Sequence, residues 1–210
     1  MALVKHNNNS ISAVTSMASL STGSMTFISE QTASSSASVS FTTGLDSTYP
    51  IYKFEFINIH PSVDGSGDLQ FNLSSDGGSN YNVTKTTTNF QTYHNEADGQ
   101  TDLGYYGSGD LAQGTGFQQL NRNLGADSSN DENLCGHMFL FAPSSTTFVK
   151  HFIATTQEVV NDIAGTGGGS LECFVAGYAN TTSAVDAIQF KMSTGNIDSG
   201  TIKLYGIKDS

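Results

Sequence analysis

The sequence predicts an all-β fold: an antiparallel β-sandwich, jelly-roll-like, preceded by an N-terminal arm. Short segments alternate between apolar and polar residues, which is typical of half-buried strands. Turn sequences rich in Gly, Ser, Asn and Asp separate these segments at the spacing of hairpins. Charged residues make up only 13% of the 210-residue chain, and Glu/Lys/Arg-rich helical patterns are missing. These three observations together favour a sandwich over a helical or mixed fold.

Length and composition favour one large domain with an arm. A chain of 210 residues can bury a core without metals or disulfides. Residues 1–24 are rich in Ser, Thr, Ala and Asn, and we interpret them as an N-terminal arm; the alternative is a solvated leader. Residues 25–210 then form a single β-sandwich domain. The apolar side chains expected to dock the arm onto a neighbouring subunit are Ile11, Val14 and Leu20.

Ten segments along this domain are strand candidates, and eight or nine of them are expected to form the strands of the sandwich. The strongest candidate is residues 51–60, where Tyr52, Phe54 and Phe56 share one face. The phase changes after Phe56, which indicates a bulge or a strand buried on both sides. The other candidates precede or follow polar turns, at 25–30, 36–43, 68–74, 81–87, 136–143, 147–156, 171–179, 186–193 and 201–207.

The last candidate follows the sequence NIDSG at 196–200, which indicates a turn. In TIKLYGI, at 201–207, Ile202 and Leu204 share one face, and after a one-residue slip Ile207 joins them. Because β-branched and aromatic residues alternate here, we expect this strand to pair inside a sheet.

A loop-rich insertion is expected at about 88–135, since no sustained period runs through this segment. Aromatic side chains lie there among Asn, Gln, Ser and Gly, a combination suited to contacts with sugars or proteins. The alternative is that they simply cover the sandwich. The candidate contact residues are Tyr93, Tyr105, Tyr106 and Phe117.

The net charge of −11 disfavours nucleic acid as a partner. Lys and Arg total 8, Arg122 is the sole arginine, and no basic stripe is present to neutralise phosphates. No run of 18 apolar residues occurs, so no membrane insertion is predicted. The first residues lack an apolar stretch after their lysine, so no signal peptide is predicted either.

No motif for a catalytic, cofactor or metal site is evident, and we expect a protein that is not an enzyme. A sandwich hydrolase would need two carboxylates, for which Glu55 and Glu172 are the candidates, although a solvated outer face explains them better. Acidic stretches at 64–68 and 127–133 raise the question of calcium, but ordinary turns explain them.

Two cysteines, Cys135 and Cys173, each lie at the edge of a strand candidate. We expect two buried free thiols. A disulfide between them is the alternative, although the sequence does not show that the two are close in space.

Four stretches resemble a widespread family of small tailed-bacteriophage virion structural proteins related to tail fibres. These stretches are residues 28–61, 69–82, 141–150 and 180–207, with SDGGSNY and SGNIDSGTIKLYGI as the most specific parts. The start, MALVKHNNNSISAVTS, is similar to versions carried by marine phages. The resemblance implies a β-sandwich mounted on a virion and brings no catalytic residues.

The resulting expectation is a non-enzymatic virion protein, assembled in the host cytoplasm and displayed on the particle exterior as a tail appendage or capsid decoration. Its partners would be other virion proteins and itself, as a trimer or ring. A carbohydrate-binding module that recognises host surface glycan at a tail tip is the alternative. No cofactor is expected in either case.

Overall fold

A computed structural model describes the chain at residues 24–63, 67–122, 124–125, 132–160, 165 and 167–208. The docking side chains of the predicted arm, Ile11, Val14 and Leu20, lie outside these residues. So does most of the two acidic stretches at 64–68 and 127–133.

The described part of the chain contains twelve strands and no helix. The strands are β1 (Met25–Ser36), β2 (Val39–Phe41), β3 (Ile51–Pro61), β4 (Leu69–Ser74), β5 (Lys85–Asn95), β6 (Thr101–Tyr105), β7 (Gln118–Gln119), β8 (Leu134–Phe141), β9 (Lys150–Val160), β10 (Gly169–Ala179), β11 (Ala187–Met192) and β12 (Ile197–Ile207).

These strands form two antiparallel sheets. The larger has eight strands in the order β1-β12-β3-β8-β9-β10-β5-β6, and the smaller has four in the order β2-β11-β4-β7. The predicted all-β antiparallel sandwich is therefore confirmed. The jelly-roll topology is not, because a jelly roll divides eight strands between two Greek keys, whereas here an eight-stranded sheet faces a much narrower one.

Aromatic side chains from both sheets meet in the centre of the sandwich. Phe190 of β11 lies 5.4 Å from Phe54 and 5.3 Å from Phe56 of β3, measured between ring centroids, and both pairs are edge-on. Phe71 of β4 meets Phe152 of β9 at 5.0 Å. All five rings are at most 2% exposed. Edge-to-face contacts of this kind add to the free energy of burial and lock the two sheets together.

The bulge predicted in β3 is confirmed. Pairing with β8 shifts between Phe56 and Ile59, so two residues of β3 have no partner there. Asn58 takes a positive φ of 50°, a conformation that Asn adopts more readily than most residues. The Cys135 thiol accepts a hydrogen bond from the Asn58 backbone at 3.3 Å. Beyond the bulge Ile59 returns to the core while Ile57 is exposed.

The strand predicted at 201–207 lies inside the larger sheet, between β1 and β3, as expected. The turn predicted at 196–200 is wrong, because β12 already starts at Ile197. The first part of β12 pairs irregularly with β3, and this pairing contains two register shifts. Gly200 has φ of 118°, and a Cβ there would lie 2.6 Å from the Asn58 carbonyl oxygen, so only glycine fits.

The predicted slip near the end of β12 is also wrong. The register with β3 stays regular from Thr201 to Ile207, so Gly206 points inward and Ile207 is half-buried on the opposite face.

The segment at 88–135 is more regular than expected. Its first eight residues complete β5, which the prediction ended at 87, and residues 101–105 form β6 on the edge of the sheet. The inward positions of β5 are polar, namely Lys85, Thr87, Asn89 and Gln91. The apolar alternation that marks a strand is therefore absent from its sequence. Between β6 and β8, the described residues form only the short β7.

Both thiols are free, as predicted, but only Cys173 is fully buried. Cys135 is half-buried on β8, and Cys173 lies on β10 with Val160 and Leu171. The strand between them, β9, pairs with Cys135 through Gln157 and with Cys173 through Thr156. Because neighbouring residues of a strand point to opposite faces, the two thiols lie on opposite faces of the sheet.

Two lysines are buried at one end of the sandwich. The Lys150 ammonium donates to the backbone carbonyls of Ser145, Phe148 and Thr181 at 2.6, 3.1 and 3.2 Å. The Lys85 ammonium donates to the Val83 carbonyl at 2.8 Å and to the Asn72 side chain. Burial lowers the pKa of Lys85 to about 7.

Glu158 is buried at the other end. Its carboxylate accepts hydrogen bonds from the Asn121 side-chain amide at 2.6 Å and from the Arg122 backbone at 2.9 Å. Loss of hydration in this position raises the pKa of Glu158 to about 8, although both hydrogen bonds act in the opposite direction.

Candidate functional site

The outer face of the eight-stranded sheet, which is the face turned away from the smaller sheet, carries exposed apolar side chains. On β9, Phe152 and Ala154 point into the core while Ile153 between them is 50% exposed. Phe90 on β5 and Tyr105 on β6 are 43% and 62% exposed. Scattered single apolar residues are normal on protein surfaces, but a connected set marks an interaction surface.

One row of paired residues shows how this outer face is composed. Strand register places Glu30, Lys203, Glu55, His137, Thr155, Phe174, Phe90 and Tyr105 side by side across all eight strands. The half at β1, β12 and β3 is charged, and the half at β10, β5 and β6 is aromatic. Cross-strand neighbours of this kind stabilise a sheet pair by pair.

The aromatic half is ordered by ring stacking. The rings of Phe90 and Phe174 are parallel to within 10°, with centroids 4.7 Å apart. Rings also occur outside this half: in the next row the Phe139 ring on β8 lies 5.9 Å from the Lys53 ammonium, and Phe27 on β1 meets Tyr205 on β12 edge-on at 5.7 Å. These contacts fix flat apolar groups on a rigid sheet rather than on a mobile loop.

The charged half contains both signs. Lys53 donates to Glu55 at 2.7 Å, and this hydrogen bond holds the pKa of Glu55 below its usual value. Lys203 lies 3.9 Å from Glu30 and pairs with Glu55 across the strands. Two lysines and two glutamates thus neutralise one another on a chain with a net charge of −11.

A separate cleft of about 270 Å³ lies beside the loop between β6 and β7. The Phe117 ring forms one wall and is covered by the Lys191 ammonium at 4.3 Å. Polar groups complete the lining, in particular Asp110 and Gln119. The Tyr105 hydroxyl donates to Asp110, which connects the cleft to the edge of the outer face.

A buried glutamine holds this loop against the sheet. Gln118 accepts a hydrogen bond from the Thr87 hydroxyl and donates to the Gly109 carbonyl, both at 2.6 Å. A Cβ at Gly109 would lie 2.6 Å from both the Asn89 side-chain nitrogen and the Tyr106 ring. Glycine therefore allows the loop to lie directly on β5.

The four predicted contact residues do not form one site. Phe117 lines the cleft, and Tyr105 reaches it through Asp110. Tyr106 is half-buried, and the Arg122 guanidinium covers its ring at 4.8 Å. Tyr93 packs partly against the buried cluster around Cys173 and lines a different cleft, so it and Tyr106 serve mainly to cover the sandwich.

A polar cluster at the end of β5 was not expected from the sequence. His94 contacts Asp98 at 3.0 Å and is paired across the strands with Ser170. Asp98 is 92% exposed, and the Ser170 hydroxyl accepts a hydrogen bond from Gln157 at 3.4 Å. A nucleophile requires a base in contact with it and a fixed third group, and this cluster has neither among the residues described.

The two candidate hydrolase carboxylates share the outer face but lie far apart. Glu55 is on β3 and Glu172 on β10, three strand spacings apart, which is about 14 Å across the sheet alone. Glycosidase pairs are separated by about 5 to 9.5 Å. No group of three or more His, Cys, Asp or Glu side chains that could hold a metal ion occurs in the described part of the chain.

The outer face as a whole was missed by sequence reasoning, although a signal was present. In HMFLF, at 137–141, apolar residues occupy both phases of the strand instead of one. The same is true of HFIA at 151–154. Continuous apolar runs indicate strands that are covered on both faces.

No protein-family model matches the chain, and no curated protein or solved structure matches it either. Among the described residues, no helix is long and apolar enough to cross a membrane.

Proposed function

We propose that the protein is a non-enzymatic structural subunit of a tailed-bacteriophage particle, displayed on its exterior and held there by protein–protein contacts. A tail appendage and a capsid decoration are the two locations that this proposal covers. The resemblance of four stretches of the sequence to virion structural proteins supplies the biological setting.

The observation that carries the proposal is the exposed apolar outer face. Eight paired strands form a rigid platform, and its outward side chains include stacked rings and Ile153. Such a surface suits stable docking within an assembly better than it suits a freely diffusing monomer. The acidic composition is consistent with this setting, since it disfavours contact with packaged DNA.

Labelling of purified particles tests the proposal. Antibody raised against the chain is bound to intact virions and located by electron microscopy. Label on capsid faces is expected for a decoration, and label on the tail or fibres for an appendage. Particles from which the chain is absent by both labelling and mass spectrometry would contradict the proposal.

Deleting residues 1–24 is expected to abolish incorporation while leaving the domain folded.

A glycan-binding module is the second candidate, and the cleft beside Phe117 favours it. An aromatic wall next to amide and carboxylate groups, here Gln119 and Asp110, is a combination that sugar sites use. Binding to host surface polysaccharide should then fall by roughly 10-fold or more in Phe117→Ala, because stacking on the ring is lost.

Phe148→Ala is the matched control, since Phe148 is 73% exposed and does not line the cleft. Glycan-array binding that is equal in both variants and in the unaltered chain would remove the cleft as the site.

A further inference from the structure

The outer face is broad enough to support a stable complex by itself. Eight strands at a spacing of about 4.8 Å make it roughly 34 Å wide, and eleven residues at about 3.3 Å make it roughly 35 Å long. The product, about 1,200 Å², exceeds the roughly 800 Å² that each partner contributes to a standard interface.

The charges on this face nearly balance, so they allow another acidic chain to approach it. The three central rows contain two lysines, Lys53 and Lys203, and three glutamates, Glu30, Glu55 and Glu172. Their sum is −1 (2 − 3), against −11 for the whole chain. Two copies of this protein repel each other over most of their surface, and the repulsion is weak where the outer faces meet.

The side chains are also arranged to complement themselves. A two-fold axis that crosses the strands between Lys53 and Glu55 places each of these residues opposite the other in the second copy. The same axis brings the large rings of Phe174 and Phe90 opposite the small side chains of Ala176 and Thr88, which neighbour them on β10 and β5. Self-complementary patches of this kind are the requirement for a two-fold dimer.

We infer that the outer face docks a second copy of this chain, forming a two-fold face-to-face dimer rather than the trimer or ring expected from the sequence. Phe90, Phe139, Ile153 and Phe174 form the apolar centre of the interface, and Lys53 and Glu55 form reciprocal ion pairs across it. The inference deepens the proposed function and rests on it, because the dimer would be the unit mounted on the particle.

Sedimentation velocity of the full chain tests the dimer directly. The unaltered chain is expected to sediment at twice its mass of 22.2 kDa. In Ile153→Glu a charge enters the apolar centre, and self-association should weaken by roughly 30-fold or more. Phe148→Glu makes the same kind of change at an exposed phenylalanine outside the face and should leave the dimer intact.

A charge exchange identifies the two-fold arrangement. Lys53→Glu alone is expected to weaken the dimer by about 10-fold, since it places like charges opposite each other. Combining it with Glu55→Lys restores opposite charges in both copies and should restore dimerisation.

A monomeric unaltered chain, or an Ile153→Glu variant that dimerises as well as Phe148→Glu, would overturn the inference. Failure of the double variant to recover would overturn the two-fold axis. Either result leaves particle labelling unaffected, so failure of the dimer is distinguishable from failure of the proposed function.

Discussion

Both faces of the eight-stranded sheet carry phenylalanine side chains, but these are buried on the inner face and exposed on the outer face. Inward, Phe54 and Phe152 meet rings of the smaller sheet and are fully buried. Outward, Phe90 stacks on Phe174 and stays exposed. The inner face also contains ionisable groups without a counter-ion in the described part of the chain, whereas on the outer face Lys53 pairs with Glu55 and Lys203 with Glu30.

This difference separates folding from assembly. The inner face supplies the free energy that holds the two sheets together, because its apolar surface leaves water when the chain folds. The outer face contributes much less to folding, since water still reaches it. Substitutions should therefore divide by face, with inner ones changing the free energy of unfolding and outer ones changing association.

The largest effect on stability is expected for Phe54→Ala. The substitution leaves a cavity beside Phe41 and Phe190 and should lower the free energy of unfolding by about 3 to 5 kcal/mol. Denaturant unfolding followed by circular dichroism measures it. Phe90→Ala is the matched change on the outer face. An equal loss in the free energy of unfolding there would contradict the proposed difference between the two faces.

Glu158→Gln should remove one source of the pH dependence of the free energy of unfolding. The pKa of Glu158 is about 8 in the folded chain and near 4.5 when exposed, so the folded state binds more protons between these values. Stability of the unaltered chain should therefore fall as pH rises from about 4.5 to 8, by up to about 1.4 kcal/mol per pH unit from this group. Below about 4.5 both states are protonated, and this contribution is constant.

Urea unfolding at several pH values tests this expectation. The advantage of Glu158→Gln over the unaltered chain should grow across the window. Glu172→Gln removes a carboxylate from the outer face and controls for the change in net charge. Parallel curves for the two variants would show that burial of Glu158 has no consequence for stability.

Lys85→Met should raise the free energy of unfolding by less than Glu158→Gln does, and its effect should depend on pH in the opposite direction. The pKa of Lys85 is about 7 in the folded chain and 10.5 when exposed, so the unfolded state binds more protons between these values. Stability of the unaltered chain should rise with pH across that window through this group. The substitution also removes the donor to the Asn72 and Val83 oxygens, which lowers the free energy of unfolding by about 1 to 3 kcal/mol and offsets part of the increase.

The measurement is thermal or urea unfolding from pH 6 to 10, a window set by the two pKa values. Lys191→Met, which removes the charge over Phe117, controls for net charge. An advantage of Lys85→Met that grows rather than shrinks as pH rises would contradict the sign of the shift.

The smallest effect on folding is expected for Ile153→Ser. Ile153 is half-exposed, so its replacement should change the free energy of unfolding by less than about 0.5 kcal/mol. Stability measured at low protein concentration, where association is absent, gives the value. A loss above about 2 kcal/mol would mean that the outer face contributes to folding as the inner face does.

Strands with one apolar face could be predicted from sequence, as the alternation of Tyr52, Phe54 and Phe56 in β3 illustrates. β5 was predicted only as far as residue 87, because its inward side chains are polar, and Thr87 gains its partner Gln118 only in the folded chain. β7 has two residues, too few for any period to appear.

The candidate site was harder to predict than the fold for a related reason. Tyr93 and Tyr106 were predicted as contact residues because they are aromatic and lie in a loop-rich segment, yet both pack against the sandwich. The exposure of Phe90 and Ile153 depends on which face of the larger sheet the smaller sheet covers, and no local pattern of residues determines that choice.

The two thiols on opposite faces of the sheet provide the chain with its own chemical reporters. Cys173 is enclosed, and burial raises the pKa of its thiol far above the usual range, so alkylating reagents should reach it only through global opening. Cys135 lies half-buried on the outward side. Its rate of alkylation, compared between the isolated chain and an intact assembly, registers occlusion of that side without any engineered label.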